Sequence, residues 1–176
     1  EGDDELTILL NNQNKSFTNT HTYSTGLSEN TGLSPVSLKQ ADFNNDGNLD
    51  LVTANFDDNT ISIFAGDGQG AFNLIRNITV GGGPFNVTTT DVNADGNVDI
   101  ATSNVIGNSI SLLQGRGDHT FDTVISLAAG TGPSAIAAGD VDMDGDNDFV
   151  VSNSNTSSIR IVRNLGDSAF SKPLGF

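Results

Sequence analysis

Apolar and polar residues alternate along this chain in short runs, which Gly, Asn and Asp interrupt at regular intervals. In runs such as Leu49–Ala54 and Ile61–Phe64, aliphatic or aromatic residues recur at about every second position. This period, together with many β-branched residues, predicts β-strands. No stretch of helical length places its apolar residues at a 3.6-residue spacing. The pattern therefore predicts an all-β fold.

The predicted strands follow one another in sets of four. A first strand follows a proline, an acidic loop leads to the second, an Asn precedes the third, and a Gly-rich turn such as Gly66–Gly70 leads to the fourth. The predicted first strands are Val36–Leu38, Val87–Thr90 and Ala135–Ala138, and the second strands are Leu49–Ala54, Val98–Thr102 and Phe149–Ser152. The predicted third strands are Ile61–Phe64, Ile110–Leu113 and Ile159–Val162, and the fourth strands are Phe72–Val80 and Phe121–Leu127.

These sets are copies of one sequence unit. Acidic loops begin at residues 42, 91 and 140, a constant spacing of 49 residues. The same spacing separates three other series of residues: Pro35, Pro84 and Pro133; Asn55, Asn104 and Asn153; and Phe72, Phe121 and Phe170. Phe17 extends the last series after about six extra residues near 21–30 are allowed for. An internal repeat of this length indicates a modular architecture.

Four short strands in about 50 residues are typical of a β-propeller blade. The Ala, Ser and Thr of the first strands suit the crowded centre of a propeller, and the coils of a parallel β-helix, the alternative, are shorter. We expect residues 1–176 to form a partial propeller with units 1–34, 35–83, 84–132 and 133–176. About three and a half blades result, whereas propellers have about four to eight. We therefore expect a piece of a longer propeller, or self-assembly of copies that closes the ring.

The chain carries 22 acidic and 7 basic residues, a net charge of −15. This balance argues against nucleic acid and anionic membranes as partners, because both select basic patches. There is no cysteine, so neither disulfides nor thiolate metal sites can form. No apolar run approaches the ~18 residues of a membrane helix, and the acidic start lacks signal-peptide features. We expect neither membrane insertion nor a visible export signal.

The acids concentrate in the three loops, which read Asp-x-Asn/Asp-x-Asp-Gly-x-x-Asp. Positions 1, 3, 5 and 9 offer side-chain oxygens, the ligands that calcium prefers, and the Gly at position 6 permits a sharp turn. An EF-hand is excluded because position 12 is Thr53, Thr102 or Val151 instead of Glu. The alternative is a set of metal-free Asx turns. Three copies with the same acids favour metal ligation, and we expect the fold to depend on it.

The three loops and the turns that end at Phe72, Phe121 and Phe170 resemble the FG-GAP/VCBS repeats of integrin α-subunit propellers and of bacterial surface proteins. The family's Phe-Gly and Gly-Ala-Pro signature is altered here to Gly83-Pro-Phe and Gly132-Pro-Ser. The resemblance implies about three calcium ions, one per loop. Because the third loop has four side-chain carboxylates at positions 1, 3, 5 and 9 where the others have three, we expect it to bind calcium most tightly. The implied ligands are Asp42, Asn44, Asp46, Asn48 and Asp50; Asp91, Asn93, Asp95, Asn97 and Asp99; and Asp140, Asp142, Asp144, Asp146 and Asp148. Position 7 of each loop would contribute its backbone carbonyl.

No catalytic constellation stands out, so we expect a non-enzymatic scaffold, outside the cell or on its surface, for adhesion or for binding a protein or glycan ligand. The alternatives are the propeller of a secreted carbohydrate-active enzyme (similar to polysaccharide lyases) or lectin, and a plain spacer. The absence of Trp and the single Tyr23 argue against a glycan-stacking site. His21 and His119 are expected to be ordinary surface residues, and Arg116-Gly117-Asp118 an ordinary turn.

Overall fold

The chain's computed structural model describes residues 5–11, 17–24, 34–166 and 169–175, without the side chains of 17–21 and 24. Within these ranges every regular element is a strand, which confirms the all-β prediction. The first ten strands are β1 (Glu5–Asn11), β2 (Phe17–Ser24), β3 (Pro35–Ala41), β4 (Asp50–Asn55), β5 (Thr60–Gly66), β6 (Phe72–Thr79), β7 (Pro84–Thr90), β8 (Asp99–Asn104), β9 (Ser109–Leu113) and β10 (Ile125–Ala128). The last four are β11 (Pro133–Gly139), β12 (Asp148–Asn153), β13 (Ser158–Val162) and β14 (Leu174–Gly175).

The strands form three four-stranded sheets and one two-stranded pair, all antiparallel. Sheet 1 has the order β3-β4-β5-β6, sheet 2 has β7-β8-β9-β10, and sheet 3 has β11-β12-β13-β14. The N-terminal pair is β1-β2. Each sheet is a meander in which consecutive strands are neighbours, the construction of propeller blades. The predicted blade boundaries stay a prediction, although each four-stranded sheet begins at one of the repeated prolines.

The repeated proline marks a bulge at the start of each first strand. The register between the first and second strands shifts between Pro35 and Ser37, between Pro84 and Asn86, and between Pro133 and Ala135. Proline lacks an N–H group and is tolerated at the first residue of a strand or at a bulge. The same bulge therefore recurs every 49 residues, together with its proline.

Neighbouring sheets pack face to face through two apolar clusters. The cluster between sheets 1 and 2 contains Phe43, Val52, Ala54, Ile61, Ile63, Val87, Ile100 and Leu113. The cluster between sheets 2 and 3 contains Val92, Ala101, Ile110, Leu112, Ala129, Ile136, Phe149, Val151 and Val162. First strands lie side by side at the centre of the stack, where β7 contacts both β3 and β11. Each fully buried aliphatic side chain stabilises the stack by about 1.5–3 kcal/mol.

The repeated Asn at the end of the second strand is buried and ties two strands together. The Asn55 amide accepts a hydrogen bond from Thr53 Oγ1 at 3.0 Å and donates to Ser62 Oγ at 2.8 Å. Asn104 makes the equivalent bonds in sheet 2. In sheet 3, Val151 and Arg160 stand where sheets 1 and 2 have hydroxyl residues. Asn153 is 2 % exposed, and neither polar atom of its amide has a hydrogen-bond partner.

The fourth strands differ from the prediction. In sheet 1, β6 begins at Phe72 as expected, but β10 begins only at Ile125. Phe121 instead forms an isolated bridge with Gly115, and its ring packs against Phe43 with 5.9 Å between centroids. Near Phe121, the contact of its ring with Phe43 of sheet 1 takes the place of part of the strand pairing that the apolar–polar alternation predicted.

None of the described residues belongs to a helix that is long and apolar enough to cross a membrane.

Candidate metal centre

The three acidic loops occupy the same place in each sheet. Loop 1 (residues 42–50) joins β3 to β4, loop 2 (91–99) joins β7 to β8, and loop 3 (140–148) joins β11 to β12. Position 6 is Gly in each loop, with φ between 86° and 99°. Position 4 also has positive φ, although the residues there are Asn45, Ala94 and Met143. The sequence indicated the first of these two turns and gave no signal for the second.

The aspartate at position 1 folds each loop around its own carboxylate. Asp42 accepts hydrogen bonds from the backbone N–H of Asp46 at 3.2 Å and of Gly47 at 2.8 Å. Asp91 and Asp140 accept the corresponding pairs, at 3.2 and 2.9 Å and at 3.2 and 3.0 Å. Such bonds to a charged acceptor are stronger than bonds between neutral groups. These hydrogen bonds fix the position-1 carboxylate against the backbone of its own loop.

The aspartate at position 9 is fully buried in all three loops and joins two connections of its sheet. Asp50 accepts from Phe43 N at 2.8 Å and from Gly66 N, between the third and fourth strands, at 3.0 Å. In sheet 2, Asp99 accepts the equivalent bonds from Val92 N and Gly115 N. In sheet 3, Asp148 accepts them from Val141 N and Asn164 N. Burying an unpaired charge is costly, so these N–H groups compensate the desolvation of each carboxylate.

Position 3 distinguishes loop 3 from the other two. In loop 1, Asn44 Nδ2 donates to Asp46 Oδ2 at 2.8 Å, and this bond holds the pKa of Asp46 below its ordinary value. Asn93 makes the same bond to Asp95 at 3.0 Å. Loop 3 has Asp142 there, which has no N–H group to donate.

The substitution of Asn by Asp leaves the negative charge of loop 3 poorly compensated. Desolvation, together with the charges of Asp144 and Asp148, raises the pKa of Asp142. Arg163 Nη1 opposes this effect from 3.4 Å, in an ion pair that is largely open to solvent. Closely spaced carboxylates with one exposed counter-ion are an environment that a cation would stabilise.

Loop 3 brings three carboxylates together. Oxygen atoms of Asp140, Asp142 and Asp148 all lie within 4.8 Å of one another, and this is the one such group of acidic or His side chains in the described parts of the chain. Asp144 and Asp146 belong to the same loop but not to this group. The five predicted ligands of loop 1 and the five of loop 2 are not brought together in this way. For those two loops, metal ligation stays a prediction.

The donor set in loop 3 fits a hard divalent cation. Calcium takes six to eight oxygen ligands from carboxylates, carbonyls and water, whereas zinc and copper sites use His nitrogen or Cys sulfur. The group contains only carboxylate oxygens. Asp140 and Asp142 are exposed, so water can supply the remaining ligands. The residues present therefore fit calcium.

Asp99, which holds position 9 in loop 2 as Asp148 does in loop 3, has a strongly shifted pKa. Burial, together with the charges of Asp95 and Asp91, raises the pKa of Asp99 to about 6. The N–H groups of Val92 and Gly115 act in the opposite direction. A cation bound in loop 2 would favour the ionised form of this carboxyl.

The prediction that His119 is an ordinary surface residue is wrong. Its side chain is 12 % exposed and its Nε2 lies 3.0 Å from the buried Asp50 Oδ2, while its backbone N–H donates to Phe43 O at 3.2 Å. The residue has φ of 62°, and Gly70 stands at its place in the preceding repeat. The replacement of this glycine by His119 was the one sign in the sequence that the residue differs from an ordinary surface position. His21 lies outside the residues whose side chains the structure describes.

Other contacts also join the loops to the following sheet. Asn164 Nδ2 of sheet 3 donates to Val92 O at 2.7 Å, and Asn147 Nδ2 donates to Asp91 O at 3.0 Å. Asn45 of loop 1 donates to Asn97 Oδ1 of loop 2 at 3.1 Å. The acidic loops are therefore part of the contact between sheets, and sequence alone did not indicate this.

The Arg116-Gly117-Asp118 segment forms a turn with its own internal bonds. Arg116 Nε donates to Asp122 at 2.7 Å, and Asp118 accepts from Thr120 N at 2.9 Å. A side chain at Gly117 would collide with Asn97 Oδ1, just as one at Gly68 would collide with Asn48. The repeated geometry is that of an ordinary Gly turn.

Comparison with known families agrees with the repeat architecture. The FG-GAP-like repeat family matches residues 42–102 and again residues 91–151. Each match begins at one acidic loop and ends in the strand that follows the next acidic loop. Together the two matches span more than half of the chain. No curated protein matches the sequence. From the two matches and the three repeated sheets, we conclude that the chain belongs to the FG-GAP-like repeat family.

Proposed function

We propose that this chain is a calcium-binding, non-enzymatic scaffold that works outside the cell or on its surface. The observation that carries the proposal is the group formed by Asp140, Asp142 and Asp148. Three carboxylates within 4.8 Å repel one another unless a cation lies between them. Their oxygen-only composition favours calcium.

Each residue of loop 3 has a distinct part in this proposal. Asp148 would hold the ion from the buried side, because its two backbone hydrogen bonds fix its orientation. Asp140 would bind from the loop, which its carboxylate already organises. Asp142 supplies the carboxylate that distinguishes this loop. Bound calcium would supply positive charge and a rigid link between β11 and β12.

Loops 1 and 2 are proposed as weaker sites of the same kind. Their position-3 side chains are the amides of Asn44 and Asn93, which now donate to a neighbouring carboxylate. To ligate an ion, each amide would have to exchange this bond for a contact through its oxygen. Loop 1 would also retain the His119 contact on Asp50. We therefore expect the affinity for calcium to be highest in loop 3.

An extracellular setting suits sites of this kind. Calcium modules outside the cell commonly have dissociation constants of about 10⁻⁴–10⁻³ M, which the surrounding millimolar calcium saturates. The net charge of −15 keeps such a surface soluble and repels nucleic acid. These considerations support localisation outside the cell.

One surface feature favours ligand binding over a spacer role. Phe56 and Phe85 pair edge to face with 6.2 Å between ring centroids, and Phe85 and the nearby Ile106 are exposed. These residues lie at the end of the strands opposite the acidic loops. Exposed apolar residues grouped in this way favour contact with a protein ligand. The calcium end would then stiffen the scaffold while the opposite end binds.

Calorimetric titration of chelator-treated protein with calcium tests the proposal. We expect saturable binding in the parent chain and, in Asp142→Asn, a decrease of about tenfold in the affinity of the tightest site. Asp122→Asn is the matched control, because it removes one acid outside the loops and should leave the titration unchanged. No heat of binding at millimolar calcium, or equal titrations of all three proteins, would contradict the proposal.

A further inference from the structure

Sheet 3 differs from the other two sheets by two charges that lie next to each other. At position 3 of the acidic loop, Asp142 stands where the other two loops have Asn. After the third strand, Arg163 stands where the repeat has an uncharged residue, Ala65 or Gln114. The two differences meet in space, because Arg163 Nη1 lies 3.4 Å from Asp142 Oδ2. The added negative charge of loop 3 is thus accompanied by an added positive charge.

The backbone of Arg163 is held in place beside loop 3. Its N–H donates to Ser171 Oγ at 3.0 Å, and its carbonyl oxygen accepts from Ser171 N at 2.8 Å. The next residue, Asn164, donates its N–H to Asp148 Oδ1 of the loop at 2.9 Å and its amide N–H to Val92 O at 2.7 Å. These four bonds fix the point from which the Arg163 side chain extends. The guanidinium therefore stays near the loop whether or not it contacts a carboxylate.

The contact between the two side chains is loose. The distance of 3.4 Å exceeds the about 2.7–2.9 Å of a charge-assisted hydrogen bond, and the Arg163 side chain is 45 % exposed. Exposed ion pairs contribute little stability, because water and salt screen the two charges. The guanidinium can therefore exchange Asp142 for water at little cost.

A divalent cation in loop 3 would act on this guanidinium. Oxygen atoms of Asp140 and Asp148 lie within 4.8 Å of an oxygen of Asp142, so an ion held by the three carboxylates would lie close to Arg163. Two positive charges at such a distance repel each other. The divalent ion also attracts the shared carboxylate more strongly than a singly charged guanidinium does. Binding of the ion therefore opposes the ion pair.

We propose that Arg163 is a tethered counter-ion of loop 3, which calcium has to displace from Asp142 when it binds. This inference rests on the proposed function and adds a residue that regulates it. In calcium-free protein the guanidinium neutralises part of the charge of the loop, and in loaded protein it is hydrated. Arg163 thereby lowers the calcium affinity of the most acidic loop and sets the calcium concentration at which this loop fills.

Calorimetric titration of Arg163→Gln with calcium tests the displacement. Glutamine removes the charge, so we expect the affinity of the tightest site to rise about fivefold, because neither competition nor repulsion by the guanidinium remains. Arg163→Lys keeps the charge and should change this affinity by less than about twofold. Arg76→Gln is the matched control, because it removes the same charge from an exposed position of the outer strand β6 and should leave the affinity unchanged.

The guanidinium itself provides a second measurement, which does not depend on the affinity. The chain has four arginines, at positions 76, 116, 160 and 163, so ¹⁵N-arginine labelling gives few side-chain N–H signals in an NMR spectrum. Arg163→Lys identifies the signal of Arg163 by its loss. In chelator, we expect Asp142→Asn to move this signal, since it removes the charged partner. Calcium should move the signal of the parent chain in the same direction.

The outcomes separate this inference from the proposed function. If the parent chain and Arg163→Gln bind calcium with equal affinity, or if calcium binds without moving the Arg163 signal, the inference is wrong and calcium binding is unaffected. A lower affinity in Arg163→Gln would also contradict it, because Arg163 would then support the bound site. An equal rise in Arg76→Gln would assign the effect to net charge instead. No binding by either protein at millimolar calcium would overturn both proposals.

Discussion

At the scale of single residues, position 3 of the acidic loop decides how its charge is balanced. Asn44 and Asn93 donate an amide N–H to the neighbouring carboxylate, whereas Asp142 adds a further negative charge. The replacement of an amide nitrogen by a carboxylate oxygen therefore distinguishes loop 3 from loops 1 and 2. In loops 1 and 2 an amide of the loop balances a neighbouring carboxylate, whereas loop 3 favours a cation. The sequence showed this exchange, but it did not show that the carboxylates converge only in loop 3.

The raised pKa of Asp99 predicts a pH dependence of stability in calcium-free protein. The pKa rises from its ordinary value of 3.8 to about 6 in the folded chain, so the folded state binds the proton more tightly than the unfolded state does. The stabilisation from this proton is complete below about pH 4 and is lost as the pH rises through about 6.

Denaturant unfolding between pH 4 and 7, in chelator, measures this effect. Asp99→Asn cannot titrate, and we expect its stability to fall less than that of the parent chain across the same interval. Calcium should oppose the loss in the parent, because the ionised carboxyl would ligate it. Parallel pH profiles for the two proteins would show that Asp99 does not contribute.

At the scale of secondary-structure elements, the repeat predicted most strands and missed their irregularities. Ile61–Phe64 lies within the observed β5, and the three prolines begin the three first strands. The alternation could not indicate that Phe121 leaves the ladder to pack on Phe43, because that contact joins different sheets. His119 was misjudged for the same reason, since its partner Asp50 is 69 residues away.

The buried Asn of the second strand offers a matched pair of substitutions. Asn104→Ala removes hydrogen bonds with Thr102, Ser109 and Ser111, and we expect it to lower the free energy of unfolding by about 3 kcal/mol. Asn153→Ala removes a side chain whose amide makes no hydrogen bonds, so its cost should be below about 1 kcal/mol. Chemical denaturation of both variants measures the difference. Equal costs would mean that the hydrogen bonds of Asn104 contribute little net stability.

At the scale of the whole molecule, each sheet is stabilised mainly by its neighbours. Sheet 2 buries residues on both faces, whereas the outer face of sheet 3 has no described sheet against it. Ile110 is 0 % exposed, and its repeat counterpart Ile159 is 51 % exposed. The stack therefore resembles other repeat proteins, in which stability is approximately a sum over units and their interfaces.

This arrangement predicts unequal effects of one substitution at equivalent positions. Ile110→Ala opens a cavity between sheets 2 and 3, and we expect a loss of about 3 kcal/mol of stability. Ile159→Ala should cost less than about 0.5 kcal/mol, because most of the side chain already contacts water. Thermal unfolding of the two variants provides the comparison. A large loss in Ile159→Ala would reveal that the outer face is covered in solution.

The buried aspartate at position 9 has a consequence for the history of the chain. Its carboxylate and both backbone donors come from the same 49-residue unit in every case, as with Phe43, Asp50 and Gly66 in sheet 1. Duplication or deletion of one whole unit in the gene would therefore leave each of these bonds intact, because none of them crosses a unit boundary. The number of units can then change by recombination between copies while every surviving sheet keeps its internal brace.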